Sequence, residues 1–416
     1  MATEFRHDPE LDSLVRELNR SRPALAPGET PLAESAGDTP SRPRRAHVPL
    51  DGPLAPLLME MLARRASDLL LVTGATPTLR LDGRLAPVPG EPLSSSWMVE
   101  AFGPHLDRRL SQQLEREGSC DFSLSSLAMT GDGGSTTARF RVNLHHQRGH
   151  LAAALRALPG TVPTLAQLNL PPSLAELVDR SRGLVLVCGP AGAGKSSTLA
   201  ALLGEINRHR SCHILTIEDP VEYEHRNQRS LVEQIEVGTD APSFATALKA
   251  ALRQAPDVIL VGEMRDLETI SVALTAAETG HLVLSTLHTH DSAQAVHRLI
   301  DVFPAEQQGQ IRQQLALALT AIVCQQLVPR QDRPGRVPAV EVLMATTGVR
   351  HQIRQNTLQK LQHEITLGKK AGMLSLEESL ARLVQSGTIT REEAEMRVAR
   401  PEELHSLLKG AGLTGQ

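Results

Sequence analysis

Residues 189–196 have the composition and spacing of a loop that binds the phosphates of a nucleotide. The run reads Gly-Pro-Ala-Gly-Ala-Gly-Lys-Ser and fits the pattern G-x-x-x-x-G-K-[ST] without a mismatch. An apolar stretch at 184–188 precedes the loop and a helical stretch follows it, which is the order that such a loop requires. Because strand, loop and helix are all in place, a chance glycine-rich turn is the weaker interpretation.

Each residue type in this loop has a physical role in holding a nucleoside triphosphate. Glycines let the backbone wrap the phosphates with its amides pointing inward, and the start of the following helix adds positive potential. The lysine reaches the β- and γ-phosphates, and the serine hydroxyl holds Mg²⁺. We therefore expect ATP and Mg²⁺ as ligands, with the candidate binding residues Gly189, Gly192, Gly194, Lys195, Ser196 and Ser197.

An acidic residue follows a second apolar stretch, 257–261, at the position Gly262-Glu263. Ligands of parallel α/β sheets bind beyond the carboxyl ends of the strands, where such a residue faces the γ-phosphate. Glu263 is therefore predicted to polarise the attacking water, or to hold Mg²⁺ together with Ser196. A surface glutamate that caps the next segment is the alternative, and the apolar run that ends directly on Glu263 disfavours it.

Further polar side chains follow or flank two other apolar stretches. The stretch 213–217 ends in a group of acids, namely Glu218, Asp219 and Glu222. Two histidines, His281 and His288, bracket the stretch 282–285. Such a pair suits either a sensor of the γ-phosphate or ordinary structural histidines, and spacing alone does not decide between them.

The elements that must position these residues form an alternating pattern beyond Gly183. Short apolar strands at 184–188, 213–217, 258–261 and 282–285 alternate with helical stretches. This alternation predicts a doubly wound, mostly parallel sheet. From about residue 348 to about residue 408 the pattern predicts helices only.

The region before Gly183 has a different, mixed α/β pattern. It predicts a helix at 54–64, strands at 68–72, 78–81 and about 139–144, and a further apolar run at 151–158. Asp82-Gly83 predicts a turn and residues 131–135 predict a loop. Four prolines between 159 and 172 indicate a boundary, so the predicted division is an extension 1–47, domains 48–160 and 176–346 joined by a linker 161–175, and a helical part 347–416.

The N-terminal extension has the composition of a disordered segment. Residues 20–47 are rich in Pro, Arg, Ser and Gly, and they cannot bury enough apolar surface to offset the entropy of ordering. Before them, apolar residues fall at helical spacing, which suits either a frayed amphipathic turn or a docking peptide: Leu11, Leu14, Val15 and Leu18.

The composition narrows the classes of function. Hydrophobic residues make up 41% and charged residues 22% of 416 residues, a length that predicts two domains. Aromatic residues make up 2% and the net charge is -4, so neither base stacking nor a basic surface favours a nucleic-acid partner. The cysteines lack metal-ligand spacing, and no membrane span or signal peptide is evident, so we expect incidental thiols in the cytoplasm.

Three linked stretches resemble known motifs of the secretion ATPases. TIEDPVEYEH (216–225), VILVGEMRDLETI (258–270) and GHLVLSTLHTHDSAQAVHRLIDVFP (280–304) resemble the acidic box, Walker B motif and histidine box of that superfamily. The chain is most similar to the PilT-type retraction ATPases of type IV pili, from about residue 54 to near the C-terminus. ASDLLL (66–71), RFRVN (139–143) and GKKAGMLSLEESLARLV (368–384) support the resemblance outside the nucleotide site.

The resemblance implies roles for five residues. Glu263 corresponds to the catalytic glutamate of Walker B, and Glu222 to the second acid of the acidic box. His288 corresponds to the histidine that senses the γ-phosphate. Arg141 and Arg156 match the arginines that the N-terminal domain contributes to a nucleotide site, a role that suits a guanidinium because it forks onto phosphate oxygens.

The resemblance also implies a fold, an assembly and partners. It implies a PAS-like α+β N-terminal domain, a RecA-like P-loop ATPase domain and a helical C-terminal part. It further implies a homo-hexameric ring that uses ATP hydrolysis to retract a pilus in twitching motility. The implied partner is a pilus platform protein of the inner membrane, with the ring peripheral to the cytoplasmic face of that membrane.

The sequence departs from the family pattern at several places. The C-terminal motif linked to retraction, which usually reads close to AIRNLIRE, is GVRHQIRQ at 348–355, with Gln352 and Gln355 replacing a Leu and a Glu. Leu70 and Ala255 replace a His and an Asp that are usual in the family. The change at Gln355 affects the expected coupling to retraction and leaves the expected hydrolysis of ATP untouched.

Three alternative functions follow from these features. A pilus assembly or type II secretion ATPase belongs to the same superfamily, but the scattered cysteines cannot build the four-cysteine zinc module common in that branch. A regulatory paralogue that binds ATP without driving retraction is supported by the altered 352–355 segment alone. A nucleic-acid translocase shares the RecA-like core, and salt-dependent DNA binding would be its sign.

Overall fold

The computed structural model describes residues 52–81, 83–129 and 135–410. The expectations for the extension 1–47, including its apolar stripe, for Asp82 and for the loop residues 131–134 lie outside the described residues.

The first half of the described chain forms a six-stranded antiparallel sheet with the order β3-β2-β1-β6-β5-β4. The strands predicted at 68–72 and 78–81 are confirmed with the same bounds, whereas β3 and β4 were not predicted. The strands are β1 Asp68–Val72, β2 Thr78–Leu81, β3 Arg84–Pro87, β4 Ser119–Met129, β5 Ser135–Gln147 and β6 His150–Leu158.

Three helices pack on this sheet, α1 (Leu54–Ala63), α2 (Ser95–Phe102) and α3 (Arg108–Glu117). Their apolar faces and the inward side chains of β5 and β6 form one core, in which Phe102 and Phe140 are fully buried. Trp97 of α2 packs against the edge of this core. Ser94 and Asp107 accept hydrogen bonds from the first turns of α2 and α3, which explains where these two helices begin.

The second half contains a seven-stranded sheet with the order β13-β12-β7-β11-β10-β8-β9. All neighbouring strands are parallel except the pair of β12 and β13, which confirms the predicted mostly parallel sheet. Three of the strands, β9, β12 and β13, were not predicted. The strands are β7 Gly183–Cys188, β8 His213–Glu218, β9 Leu231–Glu236, β10 Val258–Val261, β11 Leu282–Leu287, β12 Leu319–Pro329 and β13 Arg336–Met344.

Helices cover both faces of the parallel sheet, because successive strand residues point to opposite sides. Leu184, Leu186 and Cys188 of β7 face one helical layer, and Val185 and Val187 face the other. The helices are α4 Lys195–His209, α5 Phe244–Ala251, α6 Leu267–Glu278, α7 Ser292–Asp301, α8 Ala305–Ala318, α9 Thr347–Arg354, α10 Leu361–Leu367, α11 Leu376–Gln385, α12 Arg391–Glu395 and α13 Pro401–Gly410, with 3-10 turns at Gly103–His105, Pro172–Leu177, Leu358–Lys360 and Gly368–Ala371.

Between Met344 and Gly410 the regular structure is helical as predicted, apart from one isolated bridge between Val342 and Leu374. Helix α9 contains the altered motif. Arg350 ties it to α8 by donating to the carbonyls of Ala316 and Leu317, whereas Gln355 is exposed just after the helix. No helix among the residues 52–81, 83–129 and 135–410 is both long and apolar enough to cross a membrane.

Candidate active site

The glycines of the loop 189–194 allow its backbone conformation, and strand β12 packs against the loop. Gly189 has φ +148°, and a Cβ atom there would come within 2.3 Å of the Gln325 carbonyl oxygen. The Gln325 side chain, which is buried, donates to the Ala193 carbonyl at 2.6 Å and accepts from the Thr198 hydroxyl at 2.8 Å. Gln325 therefore joins the loop to the first turn of α4 and fixes the curvature that phosphate binding requires.

Lys195 lies at the start of α4 with its ammonium group inside this loop. Its Nζ donates to the carbonyls of Gly189 at 2.8 Å and Pro190 at 3.0 Å. Burial lowers the pKa of Lys195, while the nearby carboxylates of Glu263 and Glu222 act in the opposite direction. The ammonium therefore lies inside the loop, where it can act as a point charge toward phosphate oxygens.

Glu263 and His288 meet beside Lys195 because two neighbouring parallel strands end there. Strand β10 ends at Val261 and β11 ends at Leu287, and the two strands pair in parallel. His288 Nε2 lies 3.9 Å from a carboxylate oxygen of Glu263, and His288 Nδ1 lies 3.5 Å from Lys195 Nζ. The three predicted side chains therefore share one edge of the sheet.

The surroundings of His288 disfavour its charged form. Burial lowers the pKa of His288, and the charge of Lys195 lowers it further. Arg265, two residues after Glu263, holds the other side of that carboxylate through a 2.7 Å contact from Nε. His281, at the opposite end of β11, faces the Ala276 carbonyl at 3.0 Å, so the structure separates the two histidines that spacing left undecided.

The acids that follow β8 occupy two different environments. Glu218 is engaged by Thr216 at 2.7 Å and by Gln234 at 3.1 Å, and its burial raises the pKa of its carboxyl group. Glu222 lies further along the loop and lines the same cleft as Lys195 and Glu263. Glu222 is therefore the acid of this group that adds negative potential opposite the lysine.

The two predicted arginines stand side by side on β5 and β6 but are used differently. Arg141 and Arg156 are cross-strand partners. Arg141 lines the cleft and lies 3.6 Å from Asp121. Arg156 is 68% exposed, is held by Asp68 at 2.8 Å and does not line the cleft. The described chain thus brings only one of the two arginines to its own candidate site.

A third arginine, which the sequence did not single out, joins β5 to the segment 219–230 between β8 and β9, which we call the acidic loop. Arg139 is buried, and it donates to the carbonyls of Val221 at 2.7 Å and Glu222 at 3.4 Å. Its Nε lies 3.2 Å from the Glu224 carboxylate. Arg139 therefore fixes the main chain on which Glu222 stands.

These side chains surround one cleft of about 410 Å³. Its charged and polar lining includes Arg141, Lys195, Ser196, Glu218, Asp219, Glu222, Glu263, Arg265 and His288. The cations suit phosphate oxygens, and the carboxylates suit a water molecule that attacks phosphorus. Such a volume is in the range of small-molecule sites.

The cleft also fits the expected Mg²⁺ ion. Ser196 lines it, and no residue within the described ranges forms a hydrogen bond with the Ser196 hydroxyl. No cluster of three or more acidic, histidine or cysteine side chains able to bind a metal exists among these residues. The Ser196 hydroxyl and the Glu263 carboxylate are two oxygen donors that the cleft offers. They suit Mg²⁺, which commonly binds through one or two protein oxygens together with substrate phosphates and water.

Ser197 has a different environment from Ser196. Its hydroxyl forms a 2.7 Å hydrogen bond with the hydroxyl of Tyr223, which is the only tyrosine in the sequence. Burial raises the pKa of Tyr223. The side chain of Ser197 therefore bonds α4 to the acidic loop, and its candidate role toward a nucleotide falls to its backbone amide at the helix start.

The fold and the cleft together define a P-loop nucleotide-binding protein, with Lys195, Glu263 and His288 at the carboxyl edge of a parallel sheet. The family profile described as Type II/IV secretion system protein matches residues 152–411. The chain belongs to this family and, within it, to the PilT/PilU-type pilus ATPases, which confirms the resemblance seen in the motifs.

Individual relatives match most of the chain. Type IV pilus ATPase PilU of Pseudomonas aeruginosa is 38% identical over 353 residues, which cover 85% of this chain and 90% of PilU. Type IV pilus retractation ATPase PilT of the same organism is 40% identical over 337 residues, covering 81% of this chain and 95% of PilT. The crystal structure of the pilus retraction motor PilT with bound ADP has a TM-score of 0.75 at 41% identity, covering 84% of this chain and 98% of that one.

Proposed function

We propose that this protein is a Mg²⁺-dependent ATPase that powers retraction of a type IV pilus. The observation that carries the proposal is the meeting of Lys195, Glu263 and His288 in one cleft, within hydrogen-bond or ion-pair reach of one another. The similarity to a pilus retraction motor that binds ADP supports both the nucleotide and the mechanical role.

In this proposal each side chain has a separate task. Lys195 neutralises the β- and γ-phosphates, and Ser196 with Glu263 would hold Mg²⁺, which supplies charge neutralisation on the phosphates. Glu263 orients the attacking water and accepts its proton. His288 contacts the γ-phosphate, and Arg141 neutralises charge that develops as the bond to that phosphate breaks.

The proposed assembly is a homo-hexameric ring at the cytoplasmic face of the inner membrane, where it acts on a pilus platform protein. Residues 48–160, with their six-stranded sheet, are assigned to a PAS-like domain, and residues 176–346 to a RecA-like domain. Residues 161–175 are the linker between them, 347–416 form the helical part, and 1–47 form an extension that hydrolysis does not require.

A second candidate is a pilus ATPase of the same family that does not itself retract the fibre. The specific observation in its favour is Gln355, which is exposed after α9 where the family pattern has a Glu. The identities to PilU and PilT, 38% and 40%, support both candidates equally. In both, the chemistry of the cleft is the same.

Two substitutions test the chemistry. Glu263→Gln should retain ADP binding and lower ATP turnover by about 10²–10⁴-fold, because an amide cannot accept the proton of the attacking water. Lys195→Ala should abolish turnover by removing the charge on the phosphates. Glu268→Gln, on the exposed start of α6, is the matched control and should hydrolyse ATP at the wild-type rate. Wild-type turnover by Glu263→Gln would contradict the catalytic assignment.

A cellular measurement tests the mechanical role. Deleting the protein should abolish pilus retraction and twitching motility, and a Glu263→Gln copy should not restore them. Retraction that persists in the deletion strain while the purified protein hydrolyses ATP would favour the second candidate.

A further inference from the structure

A buried carboxylate lies outside the cleft, on β13. Glu341 is 4% exposed, and the donors that contact it are neutral. One oxygen accepts from the Ser292 amide at 2.9 Å and hydroxyl at 2.6 Å, and the other accepts from the Gln362 amide at 2.7 Å. A buried carboxylate costs free energy unless its hydrogen bonds are complete, so these contacts define its position strictly.

On one side, Glu341 anchors the segment that carries His288. Ser292 is the first residue of α7, four positions after His288, and it is fully buried. The intervening Thr289 is also buried, and its hydroxyl finds no hydrogen-bond partner within the described parts of the chain. Glu341 therefore fixes the Ser292 end of the segment 288–292, in which the Thr289 hydroxyl makes no hydrogen bond of its own among the described residues.

On the other side, the contacts continue into the C-terminal helices. The carbonyl oxygen of the Gln362 side chain on α10 accepts from Arg400 at 3.1 Å. Arg400 pairs with Glu377 of α11 at 2.7 Å, and Glu377 is 2% exposed. We call these five residues the Glu341 network: Ser292, Glu341, Gln362, Arg400 and Glu377. It is a continuous chain of hydrogen bonds from the His288 segment to α10 and α11.

We propose that Glu341 is a positioning residue that holds His288 at the nucleotide and, through Gln362 and Arg400, ties that position to the C-terminal helices. This inference rests on the proposed function for its effect on turnover. A change in the His288 segment when the γ-phosphate is present or lost would thereby shift the hydrogen bonds of α10 and α11. Coupling of this kind needs contiguous contacts with two alternative arrangements, and the contiguous contacts are present here.

An exchange of side chains between positions 341 and 362 tests the positioning role. In Glu341→Gln the new amide nitrogen faces the Gln362 amide nitrogen, so two donors meet. Rotating the Gln362 amide would only turn a donor toward Arg400. In the double variant Glu341→Gln/Gln362→Glu, the carboxylate at 362 accepts from both the amide at 341 and Arg400. Every hydrogen bond of the Glu341 network is then possible again, and only the bond between positions 341 and 362 runs in the opposite sense.

We expect Glu341→Gln to lower kcat about tenfold with little change in KM for ATP, and the double variant to recover most of that loss. Turnover is normalised to ADP-binding sites, so that a smaller folded fraction does not count as lost activity. Glu378→Gln, which removes a carboxylate of α11 outside the network, is the control and should keep the wild-type kcat. A wild-type kcat in Glu341→Gln, or no recovery in the double variant, would overturn the positioning role.

A second measurement needs only nucleotide binding, so it separates failure of this inference from failure of the proposed function. Addition of a non-hydrolysable ATP analogue with Mg²⁺ to the full chain should slow amide hydrogen exchange in 361–385 more than ADP does, and Gln362→Ala should remove this difference while the P-loop amides stay protected. Because Gln362 is only half-buried, this variant should fold. An equal effect of the analogue and of ADP on exchange in 361–385, or the same difference in Gln362→Ala, would overturn the coupling, whatever the rate of hydrolysis.

Discussion

Lys195, Arg141 and Arg265 line the same cleft as Glu222 and Glu263, so side chains of opposite charge share one small site. In the proposed reaction their tasks are separate, because the cations neutralise phosphate charge and the carboxylates act on the attacking water. Arg265 also engages Glu263 at 2.7 Å, which orients the carboxylate that we propose as the base. The chemical role of each residue in this cleft therefore depends on its charged neighbours as much as on its own type.

A second histidine near the cleft makes stability depend on pH. Burial of His225, in the acidic loop, lowers its pKa from 6.5 to about 4. Between these two pH values the imidazole of His225 is protonated in the unfolded chain but not in the folded chain. The free energy of unfolding that is present above pH 6.5 is therefore lost as the pH falls toward about 4. We predict that wild type loses about 2 kcal/mol more free energy of unfolding than His225→Gln between about pH 7 and about pH 5.

Urea unfolding at the two pH values measures this difference. His363→Gln, on an exposed position of α10, is the matched control and should lose as much stability as wild type. The same loss in wild type and His225→Gln would show that His225 is not the group responsible.

At the scale of the element, the phosphate loop owes its shape to the backbone of β12. Gly189 and Gly192 both have positive φ, at +148° and +76°, so a side chain strains either position. Only at Gly189 does a new Cβ meet neighbours, namely the Gln325 carbonyl at 2.3 Å and the Ala193 Cβ at 2.9 Å. We predict that Gly189→Ala is less stable than Gly192→Ala by about 1–3 kcal/mol, the penalty of overpacking.

The comparison is made by urea unfolding together with ADP titration. Gly189→Ala should also bind ADP more weakly than Gly192→Ala, because relief of the clash must move Gln325, which holds the Ala193 carbonyl. Equal stability of the two variants would mean that β12 yields to the added methyl group.

The elements that sequence predicted best are those with uninterrupted apolar runs. Strand β10 was predicted with its bounds, and Glu263 with it, because the run 258–261 ends abruptly on polar residues. Strand β9, with the sequence LVEQIE, lies at the edge of the sheet, where polar side chains weaken the apolar signal. The two residues that support the site, Gln325 and Arg139, act across 132 and 82 positions of the chain, and local patterns carry no information about such contacts.

At the scale of the whole molecule, the two arginines of the first sheet lead to a prediction about assembly. Arg141 reaches the cleft of its own chain, whereas Arg156 lies next to it in register, exposed and paired with Asp68. If Arg156 serves a nucleotide, that nucleotide belongs to a neighbouring subunit of the proposed ring. We predict that Arg156→Ala lowers turnover strongly and that mixing it with Lys195→Ala subunits restores activity at about a quarter of the sites, the share expected for random neighbours in a ring.

The matched control is a mixture of Arg141→Ala with Lys195→Ala. It should restore nothing, because no site in that mixture has both its own lysine and its own Arg141. Steady-state ATP turnover of the two mixtures, compared with each variant alone, is the measurement. Equal behaviour of the two mixtures would contradict the assignment of Arg141 and Arg156 to different subunits.

Tyr223 and Trp97 are the only tyrosine and the only tryptophan in the sequence. The two residues lie near different sheets. Trp97 packs at the edge of the first core, whereas the Tyr223 hydroxyl is bonded to Ser197 beside the phosphate loop. The molecule therefore carries two natural optical probes. Tryptophan emission reports on the first core and tyrosine absorbance on the nucleotide cleft, so movement of either can be timed in the unmodified protein without attaching a dye.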